Sequence, residues 1–234
     1  MSPAGFLLVY SDPGQGVTEE EFTDWYDNEH VPLRVEIPAF LSWHRWAADD
    51  NKKPRWAASY DLTSFEATLV PPYSTLAETR SEREKDVLKR VETLDRRTYE
   101  VWEGALPPPS ELYDPAKGAP YTVFVSVDVK PGAEEEYNKW YDEEHIPLLS
   151  KCPGWIRSRR FVLKDWSLGG TQTQGVEPTA PPKFLAVHEW VSPARKDSEE
   201  YKAAMNTPWK DRVAEDIIRR DLRIFKHHKT WERN

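Results

Sequence analysis

Two histidines of this 234-residue chain stand in nearly identical surroundings, and they are the first candidates for chemistry. His30 lies in Trp25-Tyr26-Asp27-Asn28-Glu29-His30-Val31-Pro32-Leu33, and His145 in Trp140-Tyr141-Asp142-Glu143-Glu144-His145-Ile146-Pro147-Leu148. An imidazole near a helix end and beside Glu29 can titrate near neutrality and exchange a proton with a phenolic or enolic substrate. The other use of both is architectural: bonding a carbonyl beyond the helix, or capping its C-terminus, where a protonated ring suits the dipole. Tyr26 and Tyr141 precede their histidines by four residues and so share their helix face. Each can steer its imidazole or donate to a substrate oxygen, although a buried tyrosine with one hydrogen bond is equally ordinary. Trp25 and Trp140 are expected in the core, and Asp27 and Asp142 against solvent or an arginine.

The motif recurs 115 residues on, and the register extends outward: Glu19-Glu20-Glu21-Phe22 answers Glu134-Glu135-Glu136-Tyr137, and Pro38-Ala39-Phe40 answers Pro153-Gly154-Trp155. About 25 matched positions rich in Trp, Tyr, His and Pro point to an internal duplication. Function is then expected where the two copies enclose something together and where they differ. Arg45 and Arg160 correspond, and either can hold a carboxylate or phenolate in its guanidinium fork or pair with helix carboxylates. The unequal positions are His44 against Arg159 and Tyr60 against His188. An inward-facing His188 would be an acid or base beside the wall made by Trp190; the alternative is an interior histidine held by a carboxylate.

The elements that must position these groups are legible. Phe6 to Tyr10 reads as a strand closed by Asp12-Pro13-Gly14, and Tyr121 to Val129 as its counterpart closed by Pro131-Gly132. A helix follows each. Thr18 and Glu21 have capping-box spacing, and Phe22, Tyr26 and Leu33, like Tyr137, Tyr141 and Leu148, form an apolar stripe. Pro32 and Pro147 should end or bend the helix beside each histidine. Further strands are expected at 41–47 and 55–62, answered by 155–163 and 183–190. Helical tracts are expected at 75–94 and 199–218, and final strands at 97–102 and 222–227.

Displacement rises from 115 to 128 across the second half, which places a 13-residue insertion within 167–182, either a surface loop or a lid. The order strand, helix, two strands, helix, strand is a ferredoxin-like split βαβ pattern. Helices on one face leave the other sheet face open, so the two units are expected to press those faces together. The fold class is therefore α+β, with two fused ferredoxin-like units, 1–103 and 121–234, forming an intramolecular pseudo-dimeric α/β barrel across a Pro-rich linker at 104–120.

The formal charge of −8, with 40 acidic against 32 basic side chains, argues against a nucleic-acid partner. One cysteine permits no internal disulfide, and no apolar stretch is long enough for a membrane span, so a soluble cytoplasmic chain is expected. The 11 Trp, 10 Tyr and 8 Phe suit a pocket for a flat apolar ligand as well as ordinary packing. His227 and His228 diverge on a strand, no metal-ligand spacing or phosphate loop stands out, and Cys152 has no base in register.

The sequence Trp-Tyr-x-x-Glu-His-x-Pro at Trp25 to Pro32 and Trp140 to Pro147, inside this frame, resembles the EthD-like members of the dimeric α/β-barrel superfamily, as a tandem pair. The resemblance implies a barrel built within one polypeptide and extends the role of His30 to His145. It also implies a choice among cofactor-independent monooxygenases, lactone-processing enzymes, decarboxylases, dehydratases and proteins without assigned chemistry. The leading expectation is a lyase, a decarboxylase or dehydratase needing no cofactor or metal, acting on an aromatic or polyketide-like acid. His30, His145 or His188 would be the acid/base, assisted by Tyr26 and Tyr141. Arg45, Arg160, His44, Arg159, Tyr60 and Trp190 would contact substrate. The alternatives are a cofactor-free monooxygenase and a non-catalytic binding or stress-response protein. Pairing of the fused chain into a homodimer is left open.

Overall fold

The computed structural model describes residues 3–175 and 177–233. The fold is mixed α+β, and its eight strands form a closed antiparallel barrel in the order β1-β3-β2-β8-β5-β7-β6-β4. The strands are β1 (Gly5–Asp12), β2 (Trp43–Ala48), β3 (Trp56–Leu62), β4 (Thr93–Val101), β5 (Tyr121–Val129), β6 (Trp155–Gly169), β7 (Phe184–Trp190) and β8 (Ile217–Trp231). The chain divides into two compact units, one of Met1–Val101, Leu163–Pro181 and His228–Asn234, the other of Trp102–Val162 and Pro182–His227.

In the first unit β1 lies between β3 and β4, with Leu7 opposite Tyr60 on one side and Thr98 on the other. β2 pairs with β3, Arg45 opposite Ala58. Helix α1 (Glu19–Trp25) starts where Thr18 accepts the Glu21 amide at 3.1 Å, as the capping-box spacing predicts. A π-helical turn covers Tyr26–His30, and a last turn, α2, covers Pro32–Val35. Proline removes one amide donor and crowds the carbonyl four residues back, so the chain widens before it: the Val31 amide donates to Tyr26 O, five residues back, at 3.0 Å.

That widened turn shifts the helical phase. Arg34 and Val35 turn inward, and Leu33, expected on the apolar stripe, is exposed. The expected single tract at 75–94 is shorter: turns precede α3 (Glu82–Arg90), whose start is fixed by Ser81 accepting the Glu84 amide at 2.9 Å, and Leu94 already lies in β4.

The second unit repeats the frame. β5 lies between β7 and β8, with Val123 opposite His188 and Ile224, and β6 pairs with β7, Arg160 opposite Ala186. Helix α4 (Glu134–Trp140) runs into a π-helical turn at Tyr141–His145 and then α5 (Ile146–Leu149), again with proline just after the histidine. Here too the phase shifts: Leu149 is fully buried, while Leu148 is half-buried and packs against the edge of the same core. The tract expected at 199–218 splits into α6 (Glu199–Ala204) and α7 (Pro208–Glu215). Thr207 caps α7 by accepting the Lys210 amide at 3.1 Å, and Pro208 occupies its first turn. Residues 102–120 contain no helix or strand except their junctions, yet they are tied to β6: Trp102 N donates to Arg160 O and Ser110 N to Ile156 O, both at 2.8 Å.

The segment expected to be an insertion begins as regular structure, because β6 runs on to Gly169. Beyond it, Thr171 and Gln172 amides donate to Val91 O and Glu92 O at 2.9 and 3.1 Å within the first unit. A side chain at Gly170, whose φ is +103°, would meet the Glu92 carbonyl at 2.4 Å, so only glycine suits that crossing. Among the described residues no helix is long and apolar enough to cross a membrane.

The helix and sheet of the first unit are joined by a buried ion pair. Arg45, almost fully enclosed, donates to Asp27, and its guanidinium lies over Trp56 at 4.3 Å and Tyr26 at 4.5 Å. Burial opposes the Asp27 charge, but His228, Arg45 and Lys229 together hold its carboxyl at about 2. Asp27→Ala strands the guanidinium and should cost roughly 3–5 kcal/mol in urea unfolding, while Asp27→Ala combined with Arg45→Met recovers most of the loss. A double variant no more stable than the single one would show that the pair is not the source.

Candidate functional site

Each π-helical turn turns its histidine toward the sheet and wedges it between the two aromatic residues that open the motif. His30 lies 4.7 Å from Trp25 and 4.8 Å from Tyr26, ring centre to ring centre. His145 stacks on Trp140 at 4.4 Å and meets Tyr141 edge-on at 5.2 Å. The backbone settings match, but the neighbours that complete them do not.

In the first unit, Glu84 of α3 reaches His30 Nδ1 at 2.7 Å, with both groups buried. Burial and the Arg34 charge push His30 well below its ordinary value, and although burial opposes the Glu84 charge, that carboxyl is held low by His30. The pair is thus a neutral imidazole donating Nδ1–H to a carboxylate. Glu29, the sequence neighbour expected to tune His30, instead accepts from Ser81. Tyr60 from β3 is buried near Tyr26, and burial raises both phenols. His30 is saturated by its own unit.

The second unit holds a cavity of about 150 Å³, lined by strand residues on the helix-facing side of its sheet and by its helices. His145 and His188 line it, with Tyr141, Trp140 and Trp190 as an aromatic wall and Val123, Val125 and Val213 among the apolar remainder. The two imidazoles are 6.1 Å apart and edge-to-face, and His188 lies parallel to Tyr141 at 6.3 Å. Ser158 fixes His188 through Nδ1 at 2.8 Å and accepts from Trp155 Nε1 at 3.0 Å. Among the described residues, His145 Nδ1 is buried without a hydrogen-bond partner.

Both rings are neutral at pH 7. Burial, followed by the Arg195 and Arg160 charges, lowers His188 to about 3. Burial, then His188, Arg220 and Arg160, lowers His145 well below its ordinary value. Such a site can accept protons from a substrate and can donate to it from a neutral N–H. Among the described residues no group of three His, Cys, Asp or Glu side chains could hold a metal ion.

The expected site residues therefore separate. His145, His188, Tyr141 and Trp190 converge on one cavity, and every residue lining it belongs to the second unit. The expectation that function needs surfaces from both copies does not apply to this cavity. His30, Tyr26 and Tyr60 are packed in the first unit. Arg45 is taken up by Asp27, and Arg160 by Asn138, to whose Oδ1 it donates at 2.6 Å, and by Asp142 at 3.4 Å. His44 meets Thr230 Oγ1 at 2.9 Å, Arg159 reaches Glu189 at 3.4 Å, and neither lines the cavity. No described residue of 167–182 lines it either.

Sequence reasoning missed Glu84, Ser158, Arg195, Tyr201, Lys210 and Arg220. Glu84 did leave a trace: it stands three residues before Val87 on the buried face of α3, an odd place for an unpaired carboxylate. Ser158 answers Trp43 at the 115-residue displacement, so a bulky indole is replaced by the hydroxyl that His188 needs.

No protein-family model matches the chain, and no curated protein matches it. Solved structures do. An anthrone oxidase-like protein superposes with a TM-score of 0.62 at 14% identity, covering 99% of this chain and 93% of that one. A candidate monooxygenase from Fusobacterium nucleatum gives 0.57 at 11% identity over 100% and 97% of the two chains. Another from Lactobacillus acidophilus gives 0.54 at 11% over 100% and 98%. At these identities the likeness is one of fold, the ferredoxin-like α/β barrel.

The low histidine values carry a sign for stability. Between pH 6.5 and about 3 the unfolded chain binds protons that the folded His188 refuses, so stability is complete above pH 6.5 and falls as pH drops. Each such histidine contributes up to about 1.4 kcal/mol per pH unit within that window. His188→Gln should flatten the loss of unfolding free energy between pH 6.5 and 4.5, measured by urea titration. An unchanged slope would mean that His188 is not buried in neutral form.

Proposed function

We propose that this chain is a cofactor-free monooxygenase of a small phenolic or enolisable aromatic compound, working in the cavity of the second unit. In this reading it is a tandem EthD-like protein whose second unit does the chemistry while the first is a structural partner. The observation that carries the reading is the pair of buried, neutral imidazoles, one with an unsatisfied nitrogen, meeting in an aromatic cavity. Fold likeness to an anthrone oxidase-like protein and to candidate monooxygenases supports oxygenation over other base-initiated chemistries.

His145 is the base that removes a proton from an activated ring-bound CH₂ group, and His188 donates to the oxygen on which the negative charge collects. The resulting carbanion is electron-rich enough to react with dioxygen, the oxidant. Its electrons reduce O₂ to a substrate-bound peroxide, which takes back the proton from His145. Loss of the second C–H proton with expulsion of water leaves a ketone. The balance is R₂CH₂ + O₂ → R₂C=O + H₂O. Tyr141, parallel to His188, packs the ring. An enclosed space of this size holds about one aromatic ring, with larger substrates extending through the mouth.

A lyase reading keeps one specific support, the cationic side chains Arg195 and Arg220 on the cavity, which suit an acid substrate. The two are separated by what is consumed and released. With a panel of hydroxylated aromatic ketones and acids, oxygenation predicts O₂ uptake with stoichiometric ketone, and decarboxylation predicts CO₂ without O₂ uptake. Ligand binding without either would favour a non-catalytic role.

His145→Ala and His188→Ala should each reduce O₂ uptake by about 10²–10⁴. His30→Gln, which keeps a hydrogen bond to Glu84, should leave turnover per folded molecule unchanged. Equal rates in all three variants would remove the histidines from the mechanism.

A further inference from the structure

Arg195 has no part in the oxygenation described above, yet it is a buried cation of the second unit that no carboxylate neutralises among the described residues. It sits on a short 3₁₀ turn, Pro193–Asp197, that follows β7, and Ser192 holds that turn by accepting the Ala194 amide at 3.1 Å. The residue is only 5% exposed and lines the cavity. Its guanidinium lies over the rings of Trp190 at 5.2 Å and Tyr201 at 6.0 Å. Tyr201 is its polar side-chain partner, but among the described residues its Nη1 is buried without a hydrogen bond and no carboxylate forms an ion pair with it.

Burying a guanidinium with no carboxylate beside it costs several kcal/mol, a cost that an anionic ligand would offset. The rest of the cavity has the same sign. Arg195, Lys196, Lys210 and Arg220 line it, and no aspartate or glutamate does, in a chain that carries a net charge of −8. Such a field concentrates anions, and the planar fork of arginine is the geometry that pairs with a carboxylate through two parallel bonds.

We propose that the cavity selects aromatic carboxylates, with Arg195 as the residue that binds the carboxylate while the ring rests against Trp140, Trp190 and the two imidazoles. This rests on the reading of the cavity as the substrate site and names the substrate class. Arg195 takes the role that the sequence suggested for Arg45 and Arg160, each of which already pairs with an aspartate, Asp27 or Asp142. A cavity of about 150 Å³ limits the enclosed part to a single ring.

Benzoate and benzamide test this, because they share shape and differ in charge, and neither has a CH₂ group to oxidise. Titration of the full chain by calorimetry and by the fluorescence of Trp140 and Trp190 should give benzoate at least about tenfold tighter binding than benzamide. Arg195→Gln should abolish that preference and Arg195→Lys should retain part of it. Lys202→Gln, which removes an exposed charge from α6 outside the cavity, should leave it intact.

Thermal melts establish that each variant is folded; if Arg195→Gln is not, the comparison of wild type with Arg195→Lys decides. Equal binding of the two probes by wild type, no binding of either, or a preference that survives in folded Arg195→Gln would overturn the proposal. Binding is read independently of turnover. O₂ uptake without benzoate selectivity would leave the oxygenase reading standing alone, and selectivity without O₂ uptake would leave only the anion site.

Discussion

A proline two residues after a histidine is the constraint on which both halves of this structure turn. Pro32 and Pro147 withdraw an amide from the helical ladder, and the preceding turn responds by adding a residue. The consequence is geometric. In an uninterrupted α-helix the histidine would share its face with the tyrosine four residues earlier, and the tryptophan five residues earlier would point elsewhere. In the wider turn both aromatic rings flank the imidazole, and the phase of the following turn shifts so that Arg34 and Val35, or Leu149, face inward. The ring is thereby fixed on two sides by apolar surfaces before any polar partner is considered.

What fills the remaining side then decides the role. Around His30 the fold supplies Glu84, and a carboxylate at 2.7 Å leaves the ring satisfied, neutral and held in one tautomer. Around His145 it supplies no carboxylate: Nδ1 is left open, and across a small gap stands His188, where the first unit has Tyr60. One buried unsatisfied nitrogen costs on the order of 1–3 kcal/mol, a sizeable part of a domain's net stability. Two units with the same helix, turn and sheet thus spend their interiors differently, one on a closed imidazole–carboxylate hydrogen bond and the other on a largely apolar cavity lined by two imidazoles.

Much of the frame was legible because its signals are local. Thr18 and Glu21 announce a helix start, Pro32 and Pro147 announce an interruption, and apolar runs closed by Asp12-Pro13-Gly14 and Pro131-Gly132 announce strands. The pairing of His145 with His188 was visible only as a difference between matched positions. Whether His188 faced the helices could not follow from alternation when both faces of the strand carry large residues. Glu84, Arg195 and Arg220 were not legible because their contacts cross from one element to another. α3 was read as part of a longer tract, and nothing local says which residue of its buried face meets the histidine. Leu33 was misassigned for a related reason: helical periodicity assumes a constant pitch, and the π turn breaks it. Arg45 and Arg160 show the converse difficulty. A buried arginine opposite an aspartate on the facing helix reads equally well as a substrate fork or as an internal clamp until the distance is known.

The charges around the cavity also bear on how two such weak bases could work. Burial and nearby cations keep His145 and His188 neutral, and a base whose conjugate acid is so unstable takes protons reluctantly. An anion seated beside Arg195 and Arg220 cancels part of that cationic field and stabilises an imidazolium next to it. The same ligand that the guanidinium attracts therefore raises the proton affinity of the rings it lies against. In the empty cavity the histidines remain uncharged, which keeps the apolar wall compatible with an aromatic ring. On the proposed reading, a cavity filled by an anion would make them better bases when a proton is to be taken. Anchoring and activation are then two consequences of a single electrostatic change, and the first unit, whose histidine already has its anion in Glu84, has no means of making it.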